Sequence, residues 1–159
     1  MNDTSRLDAT DQRILTLLQG DARMSNVELA KAVNLSPSPC LARVRALEER
    51  GYISGYVTLL DAQRLGLQVS VFIQVRLERQ IETALERFEN AMIERPEVME
   101  CYLMTGNADY LLRVVVPDIK AYDAVYKRLI AGTNLHDVSS SFAMEQLKYT
   151  TALPLKYAP

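Results

Sequence analysis

The sequence predicts an α+β chain, with an N-terminal winged helix-turn-helix followed by a C-terminal ferredoxin-like βαββαβ domain. Three observations predict it. Ser25 to Leu60 reads as two short helices around a tight break, then a glycine stop and a strand-forming tail. From Val69 the texture changes to period-two alternation. Beyond that strand, turn signals divide the chain into helix, two strands, helix and strand.

The first helix is capped by Asp8 or Thr10 and turns Ile14, Leu15, Leu17 and Leu18 inward. Ser25 with Glu28 three residues on is a capping box for the second, whose apolar face is Val27, Leu29, Ala30 and Val33. Asn34 tolerates the left-handed geometry that ends it, and Leu35 seals the turn. Ser36 caps the third helix, with Pro37 at its first position and Pro39 in the same turn, where amides lack intrahelical partners. Leu41, Val44 and Leu47, with Cys40 adjacent, face inward, leaving Ser38, Ala42, Arg43 and Arg45 outward or flanking. Gly51 ends this helix, and Tyr52, Ile53, Tyr56, Val57 and Leu59 favour a strand turning at Gly55.

Residues 1–60 form the first domain, 61–68 a linker and 69–159 the second domain. Val69, Val71, Ile73, Val75 and Leu77 alternate with Ser70, Phe72, Gln74 and Arg76, as in a strand with one face in the core. A helix over Glu82 to Glu94 places Leu85, Phe88, Met92 and Ile93 on one face and stops at Pro96. Strands follow at Val98 to Met104 and Tyr110 to Val116. Asp118 caps a helix with Tyr122, Val125, Tyr126, Leu129 and Ile130 inward, and the last strand spans Val138 to Leu147. The sheet face away from the helices reads as apolar, which asks either for a second copy or for cover by the C-terminal tail.

Composition narrows the function. The 159 residues are 48% hydrophobic with a formal net charge of −2, and the first domain is close to neutral, so binding to DNA would be weak without dimerisation. No apolar run approaches a membrane span, and MNDTSRLD lacks a signal-peptide core, so a cytoplasmic, nucleoid-associated protein is expected. Cys40 and Cys101 are expected as reduced, semi-buried residues. A single histidine, His136, in a connecting loop, with no Cys-x-x-Cys, argues against a metal site or cofactor. No Ser-His-Asp set or Gly-rich phosphate loop is present, so no catalytic residues are assigned and an enzyme is not expected.

LDATDQRIL, NLSPSPCLARVRALEERGYISGY and EVMECYLMTGNADYLL occur in the order that resembles the leucine-responsive regulatory protein (Lrp/AsnC, or feast/famine) family of transcription regulators. The ECYLMTG and SSSFAMEQLKYTTALPL segments look most like members tied to branched-chain or other amino acid metabolism. The resemblance implies double-stranded DNA as partner, a free amino acid (branched-chain or otherwise apolar) as effector bound between subunits, and homodimers assembling to tetramers or octamers. Two departures stand out. Asn107 takes the place of a usual acid in Gly106-Asn107-Ala108-Asp109-Tyr110, and Gly132-Thr133-Asn134-Leu135-His136 replaces a usual Pro-Gly-Val.

The family logic puts the third helix in the major groove, with Ser36, Ser38 and its first amides toward phosphates. Arg43 is then the first candidate for a guanine edge, Arg45 is either a phosphate clamp or a partner of Glu49, Pro39 contributes rigidity and apolar contact, and Ala42 lies on the same surface. For the effector, Asp109 would take the ammonium, and backbone amides around Gly106 and Asn107 the carboxylate. Thr105 lies in this loop, Leu103, Met104 and Tyr110 supply walls, and Ser139 and Ser141 add hydroxyls. The alternative is an ordinary turn in which Asp109 caps a backbone amide. The rival function is a constitutive DNA-organising protein without an effector.

Overall fold

The computed structural model describes residues 6–78, 82–131 and 135–158, with nothing taken from the side chains of residues 82–84. It divides into two compact units: Met1–Leu59 together with Lys148–Pro159, and Leu60–Leu147.

The first unit holds α1 (Ala9–Gly20), α2 (Asn26–Ala32) and α3 (Pro37–Glu49). Asp8 is the cap of α1, its Oδ1 accepting the Asp11 amide at 2.7 Å. The capping box of α2 is complete, with the Ser25 amide donating to Glu28 and the Glu28 amide to Ser25 Oγ. Asn34 adopts φ 58°, and the Leu35 amide returns to the Ala30 carbonyl. α3 ends in a Schellman motif, in which Gly51 at φ 76° donates to Glu48 and Tyr52 donates to Leu47. Leu7, Ile14, Leu15, Leu29, Ala30, Val33, Cys40 and Leu47 form its core.

Several expectations for this unit are corrected. Val27 is exposed at the start of α2, whose buried residues are Leu29 and Ala30, and Leu41 is exposed because the buried stripe of α3 runs through Cys40, Val44 and Leu47. Cys40 is fully buried, while Cys101 is exposed. No strand forms between Tyr52 and Leu59. Tyr52 and Ile53 pack against the head and Tyr56 donates to Glu48, but Val57 and Leu59 stay exposed and no ladder pairs them. The 61–68 linker contains a bonded turn, with Asp61 accepting the amides of Arg64 and Leu65, and Gly66 at φ 78°.

The C-terminal tail also departs from the expected boundary. Leu153 exchanges two hydrogen bonds with the Gln19 side chain, at 2.6 and 3.3 Å. Leu155 and Ala158 pack on the head's core. The stretch from Lys148 onward therefore belongs with the first domain and not with residues 69–147.

The second unit contains β1 (Val69–Leu77), α4 (Glu82–Ile93), β2 (Val98–Leu103), β3 (Tyr110–Val116), α5 (Ile119–Ala131) and β4 (Leu135–Phe142). The order is β2-β3-β1-β4 with every neighbouring pair antiparallel, the ferredoxin-like arrangement. Val71, Ile73 and Val75 of β1 and Leu112 and Val114 of β3 meet Phe88, Met92, Val125 and Leu129 of the helices. Ile93 and Ile130, expected inward, are exposed. β4 begins at Leu135 and stops at Phe142, earlier at both ends than expected, so His136 lies in a strand, beside a register shift at Arg76/Leu77. Of the loop before it, residues 132–134 lie outside the described residues.

The register puts Gln74, Phe72, Leu111, Arg113, Glu100, Tyr102, Ser139 and Ser141 on the face away from the core. That face is mixed and not apolar. Arg113 Nε holds Glu100 at 2.8 Å, and Glu100 also accepts from Tyr102.

Candidate nucleic-acid interface and effector loop

α3 presents the N-terminal turn that the sequence led us to expect. Ser36 stands at the cap position with φ −75° and ψ 157°, and its hydroxyl makes no capping bond. Ser36, Ser38, Pro39 and Ala42 are all exposed. Asn26 Nδ2 donates to the Pro37 carbonyl at 2.8 Å, joining the first residue of α2 to the first of α3. No local sequence pattern assigns Asn26 this contact.

The two arginines of α3 do different things. Residues on an α-helix advance by about 100° each, so Arg43 and Arg45 point about 200° apart. Arg45 is exposed and forms no ion pair among the described residues; the Glu49 pairing is not formed. Arg43 is turned toward α1, where Nη1 donates to Asp8 Oδ2 and Asp11 Oδ1, each at 2.7 Å. Arg50 lies 3.9 Å from the other Asp11 oxygen. Arg43, the first candidate for a guanine edge, is thus held by two carboxylates of the α1 side. The Asp11 amide and then Arg43 hold the Asp8 carboxyl below the ordinary aspartate value, and the Asp8 and Asp11 hydrogen bonds raise the Arg43 guanidinium.

In the second unit, the loop between β2 and β3 is tied down by Asp109. Its Oδ2 accepts the Leu77 amide at 2.8 Å, its amide donates to Val75, and its carbonyl accepts from Met104. The carboxylate expected to meet an ammonium is thus a backbone cap. Tyr110, expected as a pocket wall, is 1% exposed and donates to Glu89 at 2.7 Å; burial and then Glu89 push its phenol well upward. Leu103, Met104, Thr105, Gly106 and Asn107 are exposed at the apex, with Gly106 at φ 122°. Ser139 and Ser141 sit on β4, opposite Gln74 and Phe72, and β1 separates them from β3. A groove of about 270 Å³ lies where β1 ends, lined by Arg76, Leu77, Glu78 and His136. The sequence assigns none of these residues to a site, although Arg76, Glu78 and His136 are the polar groups flanking the expected strand ends.

A helix-turn-helix head with an exposed helix N-terminus, followed by a separate ferredoxin-like domain, is the architecture of a DNA-binding protein. Comparison with known proteins agrees. Residues 7–54 match the winged helix-turn-helix DNA-binding family, and residues 70–153 match the Lrp/AsnC ligand binding domain. The chain belongs to the Lrp/AsnC family of transcriptional regulators. It is 44% identical over 151 residues to the DNA-binding transcriptional activator DecR of Escherichia coli (strain K12), covering 94% of this chain and 99% of that one. An AsnC family transcriptional regulator from Agrobacterium tumefaciens shares 50% identity at a TM-score of 0.92, over 95% of this chain and 99% of that structure. A transcriptional regulator from Neisseria meningitidis, solved as an L-methionine complex, shares 39% identity at a TM-score of 0.91, over 95% and 98%.

Proposed function

We propose that this protein regulates transcription of amino acid metabolism genes by binding specific duplex DNA, and that a free apolar amino acid adjusts that binding. The observation that carries the reading is the exposed α3 turn, with Ser36, Ser38, Pro39, Ala42 and Arg45 on the surface, in a chain that also has the Lrp/AsnC ligand domain. Ser36, Ser38 and the first amides of α3 take phosphates; Arg45 takes a phosphate or a base edge. A regulator of this kind acts at the nucleoid, in the cytoplasm, without cofactor, metal or catalysis.

For the effector, support comes from the Neisseria meningitidis structure, a complex with L-methionine. Here the apex at Leu103, Met104, Thr105, Gly106 and Asn107 offers apolar surface and backbone amides. The groove at the end of β1 offers Arg76 and Glu78, charges opposite to the two ends of a zwitterion. Asp109 and Tyr110 act behind the loop, by anchoring it. The mixed outer sheet face, with Ser139 and Ser141, is the surface for a second copy, and dimers assemble further to tetramers or octamers. Coupling between effector and operator is then worth about 1–3 kcal/mol.

The engaged Asp109 carboxylate favours a second reading, a constitutive DNA-organising protein without an effector. Selection from a randomised duplex pool, then thermal shift with each proteinogenic amino acid and sedimentation of any hit, tests both. A preferred sequence and a saturable shift are expected. Binding of all duplexes alike and no shift at millimolar amino acid would leave the second reading.

A further inference from the structure

The geometry points to Arg43 as the positioning residue that sets the pose of α3 on DNA, acting through α1 and making no DNA contact itself. The inference rests on the reading that α3 is the helix that meets the groove. Its basis is one network. Asp11 is the single buried charged residue among the described residues, at 6% exposure, and a buried carboxylate needs compensating charge. Arg43 supplies that charge with a 2.7 Å bond and reaches Asp8 through the same nitrogen. Asp8 in turn caps α1 through its other oxygen, on the amide of Asp11. Helix cap, buried carboxylate and the middle of α3 are therefore one unit.

Such a clamp fixes the rotation of α3 about its own axis. Ser38, Ala42 and Arg45 lie three and four residues apart, so they share one arc, and Arg43 lies well round from it. With Arg43 held on the α1 side, that arc is presented at one angle. Arg50, 3.9 Å from Asp11, supports the same side about two turns further on, at the end of the helix. The charges make the assignment distinguishable from direct contact. A residue that touches phosphate contributes to counterion release, and one that only positions a helix does not.

The test is binding of the full-length protein to a duplex selected by the wild type from a randomised pool, measured across salt concentrations. The variants are Arg45→Ala, Arg43→Lys, Asp11→Asn and the double Arg43→Lys/Asp11→Asn. Arg45→Ala is expected to reduce the salt slope by about one. Arg43→Lys keeps the charge and the fold but loses the planar fork, and is expected to weaken binding about tenfold with the slope unchanged. Asp11→Asn removes an anion from a DNA-binding head, which by charge alone tightens binding; positioning predicts that it weakens binding instead. The double variant falls short of the sum of the singles. Tighter binding by Asp11→Asn or wild-type affinity in Arg43→Lys would overturn the assignment. Unchanged binding in Arg45→Ala would instead remove the reading of α3 on which it rests. Circular dichroism and thermal unfolding of each variant show that a folded head is being compared.

Discussion

Asp109 and Leu77 are joined by a 2.8 Å hydrogen bond from the Leu77 amide to the Asp109 carboxylate, so the β2–β3 loop is fastened to the end of β1. The carboxylate satisfies a strand-end amide that lies beyond the paired part of β3, whose register with β1 ends at Tyr110 and Val75. Removing it leaves that amide without its acceptor. Asp109→Ala is expected to destabilise the second unit by about 1–3 kcal/mol, with Asp109→Asn milder because an amide oxygen still accepts. Urea unfolding of the two variants checks this. Equal stability of Asp109→Ala and wild type would mean that the loop is held by its backbone bonds alone.

A second bond sets the helix-turn-helix itself. Asn26 Nδ2 spans from the first residue of α2 to the Pro37 carbonyl, across the turn formed by Asn34 and Leu35. Asn26→Ala is expected to cost about 0.5–1.5 kcal/mol of head stability and to weaken DNA binding without changing its salt slope. Thermal unfolding and binding isotherms at two salt concentrations read the two effects separately. An altered salt slope would show instead that Asn26 acts at the phosphates.

The tail is the third target. Gln19 presents both its amide oxygen and its amide nitrogen to the backbone of Leu153, and Leu155 buries part of its side chain on the head core. Leu155→Ala is expected to lower head stability by about 1 kcal/mol, consistent with a half-buried leucine. Deletion of residues 148–159 is expected to cost more, since it also removes Ala158 and both Gln19 bonds. Limited proteolysis offers a direct check: the wild-type tail should resist cleavage until the head unfolds, and Leu155→Ala should be cut sooner. Equal cleavage rates would show that the tail is not retained by this contact.

What could be read from the sequence was what local patterns decide. The bounds of β1 match the expectation because apolar side chains alternate along it, and those of β3 because a short apolar run is bounded by turn residues. Asp8, Ser25, Asn34 and Gly51 act as their chemistry requires, since caps and left-handed residues depend on neighbours a few positions away. The wing strand failed because β-forming side chains do not make a strand without a ladder partner. The tail could not be placed, because its contact with Gln19 spans 134 residues and leaves no periodic trace. Arg43 was misread for a different reason. The signal was present: Asp8 and Asp11 are three apart, Arg43 and Arg50 seven apart, so each pair lies on one helix face with complementary charge. At the effector loop, the sequence places the residues but not their burial: Tyr110 lies in the core, and one Asp109 oxygen accepts the Leu77 amide, the turn-capping alternative the sequence leaves open.

The Asp8–Arg43 contact carries a pH dependence whose direction follows from the shifts. The Asp11 amide and Arg43 hold Asp8 below its ordinary 3.8, so the folded state binds that proton less readily than the unfolded chain. Its stabilising effect is fully present above the unfolded value and is lost as pH falls through the folded one. Arg43 is shifted upward, so its own contribution is present at all lower pH and does not move the acid limb. Asp8→Asn isolates the charge, because asparagine is as good a helix cap as aspartate but cannot attract the guanidinium. The difference in unfolding free energy between wild type and Asp8→Asn should therefore be constant well above the ordinary value of 3.8 and shrink progressively as pH falls below it. Urea unfolding at several pH values measures it. A difference that persists undiminished in acid would mean that Asp8 stabilises the head through its hydrogen bonds and not through its charge on Arg43.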